Sequence, residues 1–140
     1  MVDSRTCARH RDDPEIAGTV SEMLARIGDK WSILIVATLG ARPMRFNELR
    51  RNIEDISQKM LSSTLKVLER DGLVTRTVFA KVPPQVEYAL SDLGHELLQP
   101  VSALAEWTAA NTPRITAARV TYDSRAENLA NGGASPEQVS

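Results

Sequence analysis

Polar and basic side chains recur in the middle of the chain at spacings that suit hydrogen bonding to a nucleic acid. Residues 57–63 read SQKMLSS, and the amide, ammonium and hydroxyl groups in this run can hydrogen-bond to base edges in a DNA major groove. Lys66, Arg70, Arg76 and Lys81 follow at wider intervals, and cations spaced in this way suit phosphate groups. The residue types therefore predict base contacts early in the segment and backbone contacts further along.

The element that would carry the first of these side chains is an amphipathic helix. Leu61, Leu65 and Leu68 fall at i, i+4 and i+7, which predicts one buried face. Ser57 precedes them at a position suited to a helix N-cap, and Gly72 is expected to end the helix. The polar side chains would then lie on the opposite, exposed face.

Two strand-like runs follow this helix. Residues 73–79 and 85–90 are rich in Val, Thr, Phe and Tyr, as strands prefer. Pro83 and Pro84 cannot lie in a central strand, so they mark a loop that also carries Lys81. A helix with a polar outer face followed by a basic-tipped hairpin is the layout of a winged helix-turn-helix. The predicted fold is mainly α with a small β-hairpin (α+β), flanked by dimerisation helices.

Positive charge is concentrated in the same part of the chain. The net charge of the 140 residues is −1, yet residues 42–81 contain nine Lys or Arg against five Asp or Glu. A basic segment inside a nearly neutral chain is typical of a nucleic-acid-binding surface, although a solvated helix face would give the same count.

The candidate DNA contacts form two sets. The first lies on the predicted recognition helix, where Gln can pair with adenine and Lys with guanine: Ser57, Gln58, Lys59, Met60, Ser62, Ser63 and Lys66. The second would hold the backbone or form the wing: Arg45, Arg50, Arg51, Arg70, Arg76 and Lys81. For Arg45, contact with a phosphate and pairing with an acidic side chain are equally favoured.

Apolar stripes extend on both sides of this motif. Asp13 and Pro14 predict the start of a helix that Gly28 ends, and residues 31–39 predict a second helix that is apolar nearly all round and hence buried. Residues 46–52 predict a short helix with Arg50 and Arg51 facing outward. Gly28 and Gly72 are both expected at helix ends, where glycine tolerates a positive φ.

The C-terminal part predicts further helices. A helix should start at Ser91 and be kinked or divided by Pro100, and a cap-plus-proline pair at residues 112–113 should begin another. Residues 14–27 and 91–129 carry more apolar surface than one small domain can cover, which favours a two-fold dimer.

The resulting organisation has four segments. They are a flexible N-terminal arm at 1–12, a winged helix-turn-helix domain at 13–111, a C-terminal dimerisation helix at 112–130 and a disordered tail at 131–140.

Several functional classes find little support. His10 and His95 are the only histidines, they have no evident acid or nucleophile partner, and no P-loop, GxGxxG or HExxH motif occurs, so neither an enzyme nor a metal or cofactor site is predicted. The single cysteine, Cys7, excludes an internal disulfide. The N-terminal residues lack the apolar stretch of a secretory signal and the apolar run 31–39 is too short to span a bilayer, so we expect a cytoplasmic protein without a membrane partner.

Six motifs in order resemble those of the HxlR-type regulators, a MarR-like group of winged helix-turn-helix transcription factors. They are Ile27-Gly28-Asp29-Lys30-Trp31, Arg45-Phe46-Asn47-Glu48-Leu49, Ile56-Ser57-Gln58-Lys59-Met60-Leu61, Leu68-Glu69-Arg70-Asp71-Gly72-Leu73-Val74, Val82-Pro83-Pro84-Gln85-Val86-Glu87-Tyr88 and Leu93-Gly94. The resemblance spans roughly residues 16–111. It implies a homodimer that binds a palindromic double-stranded DNA operator and usually represses a nearby gene, with room for an unknown small-molecule effector.

Two alternatives to this function remain, namely redox sensing by a cysteine and binding of a protein or an RNA in place of duplex DNA. Many HxlR-type proteins carry a sensing cysteine where this chain has Gly18, so redox sensing is not carried over, although Cys7 lies among basic residues that favour a thiolate. Winged helices also serve in protein–protein contact and RNA binding. The basic outer face of the predicted recognition helix favours duplex DNA over both.

Overall fold

The computed structural model describes residues 12–132, which contain five α-helices and three strands. In chain order these are α1 (Pro14–Gly28), α2 (Lys30–Leu39), β1 (Met44–Arg45), α3 (Phe46–Asn52), α4 (Gln58–Arg70), β2 (Val74–Phe79), β3 (Gln85–Leu90) and α5 (Asp92–Gly132). The chain divides after Val101 into two compact units, so that α5 contributes its first ten residues to the first unit and the remainder to the second.

The sheet confirms the predicted hairpin and adds a strand to it. β2 and β3 pair antiparallel from Val74 opposite Leu90 to Phe79 opposite Gln85, and residues 80–84 form the loop between them. β1 pairs with the other edge of β3, which gives the strand order β1-β3-β2. β1 lies outside the predicted elements because two residues are too few to carry an alternating pattern.

The hydrophobic core of the first unit lies between α2, α3, α4 and the sheet. Leu61, Leu65 and Leu68 are at most 1% exposed, which confirms the predicted buried stripe of α4. They pack in one cluster with buried side chains of α2, α3, the strands, and the segments that join α3 to α4 and α4 to β2: Ile35, Val36, Leu39, Met44, Leu49, Ile53, Ile56, Leu73, Val74 and Leu90. The half-buried Trp31 packs against this cluster. Because the inner face of α4 packs against the core, its outer face is turned to solvent.

Local signals set the ends of the helices as predicted. The Asp13 carboxylate accepts hydrogen bonds from the N–H groups of Glu15 and Ile16, at 3.0 and 3.3 Å, and thereby caps α1. The Ser57 hydroxyl accepts from the Met60 N–H at 3.0 Å and caps α4. At the other end of α4, Gly72 has a φ of 79°, and the Leu73 N–H donates back to Leu68 O at 3.0 Å, which is a Schellman ending.

Gly28 is the last residue of α1, as predicted, although it does not adopt a positive φ. Asp29 follows in an extended conformation and caps α2 with its side chain. The expectation that α2 is apolar and buried nearly all round is wrong. α2 is not buried all round: Leu34 is 36% exposed, and only Ser32, Ile35, Val36 and Leu39 are buried. The apolar face of α2 around Leu34 is thus left uncovered within the described residues.

The expected division of the C-terminal helix is also wrong. α5 runs as one helix through Pro100 and through residues 112–113. The hydroxyl of Thr112 donates to the carbonyl of Thr108 at 2.7 Å, so it bonds back into the preceding turn and does not cap a new helix. The helix also includes Asn131 and Gly132, which the sequence places in the disordered tail. Residues 1–11, with Cys7 and most of the predicted N-terminal arm, lie outside the described residues, as do residues 133–140.

Candidate nucleic-acid interface

α4 presents two chemically opposite faces. Its buried side chains are those of Leu61, Thr64, Leu65 and Leu68. The exposed side chains of α4 are an amide, a thioether, a hydroxyl, three cations and one carboxylate: Gln58, Met60, Ser63, Lys59, Lys66, Arg70 and Glu69. A helix anchored on its apolar side and polar on the other can enter a major groove without disturbing its own core.

The serine hydroxyls of the predicted set differ in whether a hydrogen-bond donor or an acceptor remains unused. The Ser57 oxygen already accepts from Met60 N–H, so its proton is left to donate outward. The Ser63 hydroxyl donates to the Met60 carbonyl at 3.1 Å, so its oxygen remains as an acceptor. Ser62 is half-buried. Gln58 and Lys59, in the first turn of α4, have exposed side chains.

None of the predicted basic residues forms an ion pair within residues 12–132. Within residues 12–132 the two ion pairs are Arg26 with Asp71, at 2.8 Å, and Arg42 with Glu48, at 2.6 Å. All of the predicted cations are exposed, and none pairs with a carboxylate of the described residues: Arg45, Arg50, Arg51, Lys59, Lys66, Arg70, Arg76 and Lys81. Cations held at a surface without partners are available to neutralise phosphates.

The contacts around Glu48 bear on the two alternatives for Arg45. The Arg45 N–H donates to Glu48 Oε1 at 3.3 Å, while the other carboxylate oxygen of Glu48 pairs with the guanidinium of Arg42. The hydrogen bond from Arg42 lowers the pKa of Glu48, with a further lowering from the Arg45 N–H. A guanidinium has no acceptor, so Arg45 cannot complete a reciprocal capping box, and its side chain stays unpaired. Because Arg42 takes the pairing with the acid, the side chain of Arg45 is left available for a phosphate.

The wing places two further cations on a strand and a loop. Arg76 lies on β2 opposite Tyr88 of β3, with its side chain exposed. Lys81 lies in the loop, and its Nζ atom is 5.7 Å from the centroid of the Phe79 ring. Val82 beside it is fully exposed. A projecting loop with a cation and an uncovered apolar side chain is suited to contact with the DNA backbone or a minor groove.

An arginine-lined cleft separates the root of the wing from α3. It has a volume of about 700 Å³, and Arg42, Arg45 and Arg51 line it together with Glu48 and Glu87. Arg42 was not predicted as a site residue, because the cleft depends on the pairing of β1 with β3 and no sequence pattern signalled that pairing. Arg50, the remaining predicted residue of α3, is exposed but does not line this cleft.

The described residues contain neither a metal site nor a membrane span. No group of three or more His, Cys, Asp or Glu side chains within residues 12–132 could hold a metal ion. No helix in the described part of the chain is both long and apolar enough to cross a bilayer. Gly18, where the resemblance would place a sensing cysteine, is an exposed residue of α1.

Known proteins match this chain across the elements just described. The model of the HxlR-like helix-turn-helix family matches residues 26–116. The HTH-type transcriptional regulator YtfH of Escherichia coli strain K12 is 41% identical over 98 residues, which are 70% of this chain and 78% of YtfH. The solved structure of the transcriptional regulator ytfH from Salmonella typhimurium has a TM-score of 0.63 and 39% identity, covering 71% of this chain and 89% of that one. The redox regulator HypR in its reduced form has a TM-score of 0.65 and 37% identity, covering 71% of this chain and 98% of HypR.

Proposed function

Because the chain belongs to the HxlR-like helix-turn-helix family of DNA-binding transcriptional regulators, we propose that it acts as a homodimer that represses transcription from a palindromic operator. Proteins of this family are not typically enzymes. The observation that carries the proposal is the exposed face of α4, where an amide, a hydroxyl and cations that form no ion pair within residues 12–132 lie above a buried leucine stripe.

We assign base reading to the first turn of α4 and anchoring to the remaining cations. Gln58 and Lys59 lie at the N-terminal end, the part of a recognition helix that meets base edges. Lys66, Arg76 and Lys81 lie further along α4 and in the wing, where charge without fixed geometry suits phosphates. Arg45 and Arg51 would hold a phosphate at the mouth of the arginine-lined cleft.

The proposed dimer rests on uncovered apolar surface. α1 has no buried residue, and Ile16, Val20 and Leu24 lie exposed on it. In the second unit, α5 exposes Trp107 and Tyr122 to 58% and 70%. A long helix with large apolar side chains in solvent needs a partner, and a second copy is the usual solution. Such a dimer would present two recognition helices about one duplex turn, ~34 Å, apart.

Repression is the expected outcome of this arrangement. A dimer spanning two half-sites covers about 20 base pairs of one duplex face, since half-sites lie one helical turn apart. Where that site overlaps a promoter, the bound dimer would exclude other proteins from it. Mapping the bound sites in cells and measuring transcripts of the adjoining genes with and without the protein tests this part of the proposal.

Binding measured across a salt series tests the assignment of roles. Gln58→Ala or Lys59→Ala should reduce preference for the operator over a scrambled duplex, by roughly 1–3 kcal/mol if the contact is bidentate. Lys66→Ala and Arg76→Ala should weaken binding to both duplexes and lower the salt slope by about one for each phosphate that a subunit no longer neutralises. The matched control is Lys30→Ala, which removes an exposed cation of α2 that belongs to neither set and lies outside the helices proposed for the dimer.

Equal losses of affinity on both duplexes for all four variants would contradict the division of roles. Binding to single-stranded RNA as tight as to the operator duplex would favour the RNA-interaction alternative. Failure of the parent protein to prefer any duplex, with retention of a protein partner, would favour an interaction module.

A thiol switch is an alternative that we do not adopt, although HypR is by name a redox regulator. In this chain the expected sensing position is Gly18, and the single cysteine is Cys7, outside the described residues. We propose that operator binding does not depend on oxidation of Cys7.

A further inference from the structure

The C-terminal end of α4 receives contacts from both long helices of the chain. Asp71, Gly72 and Leu73, here called the junction, lie between the last residue of α4 and the first of β2. From α1, the Nε–H of Arg26 donates to Asp71 Oδ2 at 2.8 Å, across 45 positions of sequence. The two side chains are 27% and 20% exposed, so solvent screens the pair only in part.

α5 holds the same junction from the other side. The Ser91 hydroxyl donates to the Gly72 carbonyl, and the Ser91 N–H donates to the Leu73 carbonyl at 3.0 Å. Gly94, in the first turn of α5, lies so close that an added Cβ would be 2.2 Å from Leu73 O. The end of α4 is therefore fixed to the start of α5 by backbone contact and to α1 by one ion pair.

The ion pair has an electrostatic reason. Asp71 is the C-cap of α4, where the unpaired carbonyl groups of the last turn give the helix a partial negative charge. A carboxylate at that end is unfavourable unless a cation offsets it. Arg70 also lies in the last turn of α4, but Arg26 is the cation that pairs with Asp71, so removing it would leave the carboxylate without its ion-pair partner and free to change its position.

A small rotation of α4 about the junction would displace its N-terminal end, where Gln58 and Lys59 lie, by a much larger distance than its C-terminal end. α4 has 13 residues and is therefore about 20 Å long, at ~1.5 Å per residue. Turning it by about 10° around the junction moves Gln58 and Lys59 by about 3 Å, which is close to the ~3.4 Å rise of one base pair along a strand. The angle of α4 thus decides whether its first turn meets the intended bases.

We propose that Arg26 is a positioning residue for operator recognition, which through Asp71 sets the angle of α4 relative to α1. The inference rests on the proposed function, in which α4 reads the bases and α1 contributes to the dimer. It adds a route by which the dimer contact of α1 influences sequence choice, and a residue that touches no DNA.

The test compares a selected duplex with altered spacings. A duplex chosen by the parent protein from a random library is prepared with none, one or two base pairs inserted at its centre, alongside an unrelated duplex of equal length. Arg26→Ala and Asp71→Asn should each weaken binding to the selected duplex by about tenfold, as weakening of one bidentate interaction with a base would. Binding to the unrelated duplex should stay unchanged, and the penalty for inserted base pairs should shrink.

Controls separate positioning from folding and from charge. Glu22→Gln removes an exposed charge from the same helix and should behave as the parent. Arg26→Lys should recover part of the affinity, and Arg26→Ala should have no further effect in the Asp71→Asn background. Sedimentation and thermal unfolding of every variant establish that all are compared as folded molecules in the same oligomeric state.

The outcomes are distinct. Equal weakening on both duplexes, or no weakening on either, overturns the positioning role while the proposed function stands. If the parent protein binds the selected and unrelated duplexes equally, the proposed function fails and this inference fails with it.

Discussion

Replacing Gly94 by alanine tests how tightly the junction is packed. The added Cβ would lie 2.2 Å from Leu73 O, 3.2 Å from the Leu73 carbonyl carbon and 3.2 Å from Leu90 Cδ2. The nearest of these is backbone, and the Ser91 N–H holds that carbonyl at 3.0 Å. The methyl group therefore cannot be accommodated by a side-chain rotation, and the start of α5 must shift by about 1 Å to reach ordinary van der Waals separation.

The cost follows from three contributions. Overpacking a buried position typically costs about 1–3 kcal/mol. Loss of the hydrogen bond between Ser91 and Leu73 adds about 1 kcal/mol. Alanine gains at most about 1 kcal/mol over glycine in helix propensity, and less in a first turn. We expect Gly94→Ala to lower the free energy of unfolding by about 1–3 kcal/mol.

Gly18→Ala is the matched control. Gly18 lies in the middle of α1 and an added Cβ would meet nothing within 4 Å. The same substitution should there raise the free energy of unfolding by about 0.5–1 kcal/mol. Urea unfolding of the parent and both variants, followed by circular dichroism at one protomer concentration, would measure the two changes of opposite sign.

A Gly94→Ala variant as stable as the parent, with Gly18→Ala stabilised as expected, would refute the reasoning. It would mean that α5 does not press on the Leu73 carbonyl, and the end of α4 would be free to move. Where the prediction holds, the folded fraction of Gly94→Ala should also bind operator less tightly, because the shift at the junction displaces α4.

Three further predictions concern other parts of the chain. Leu65→Ala, at a side chain 1% exposed beneath the recognition face, should lower the free energy of unfolding by about 2–5 kcal/mol in a urea titration, and a smaller decrease would mean that the core can collapse around it. Deleting residues 112–140 should weaken dimerisation in sedimentation experiments while deleting 133–140 should not, and a full-length chain that is monomeric at micromolar concentration would exclude the dimer. Peroxide or a quinone should change operator affinity by less than threefold, or about 0.7 kcal/mol, in the parent as in Cys7→Ser; release of the parent alone would identify a displaced redox switch.

Much of the fold could be predicted because its signals are local. The leucine spacing of α4, the caps at Asp13 and Ser57, and the prolines of the wing loop each act within a few residues, and the structure confirms them. The basic segment was also evident, since charge is counted directly from residue types. The prediction that a new helix begins at residues 112–113 is wrong, because the Thr112 hydroxyl can donate to the Thr108 carbonyl of the preceding turn as readily as it can cap a helix.

The sequence by itself determined which side chains could form a DNA-binding face and that a helix would carry them. Tertiary structure decided which cations remain free: Glu48 pairs with Arg42 and not with the side chain of Arg45, although both arginines lie within six residues of it. It also decided the pairing of β1 with β3 and of Arg26 with Asp71, partners separated by more than forty residues. Such contacts depend on how the elements pack around the common core, and no local sequence pattern predicts that packing.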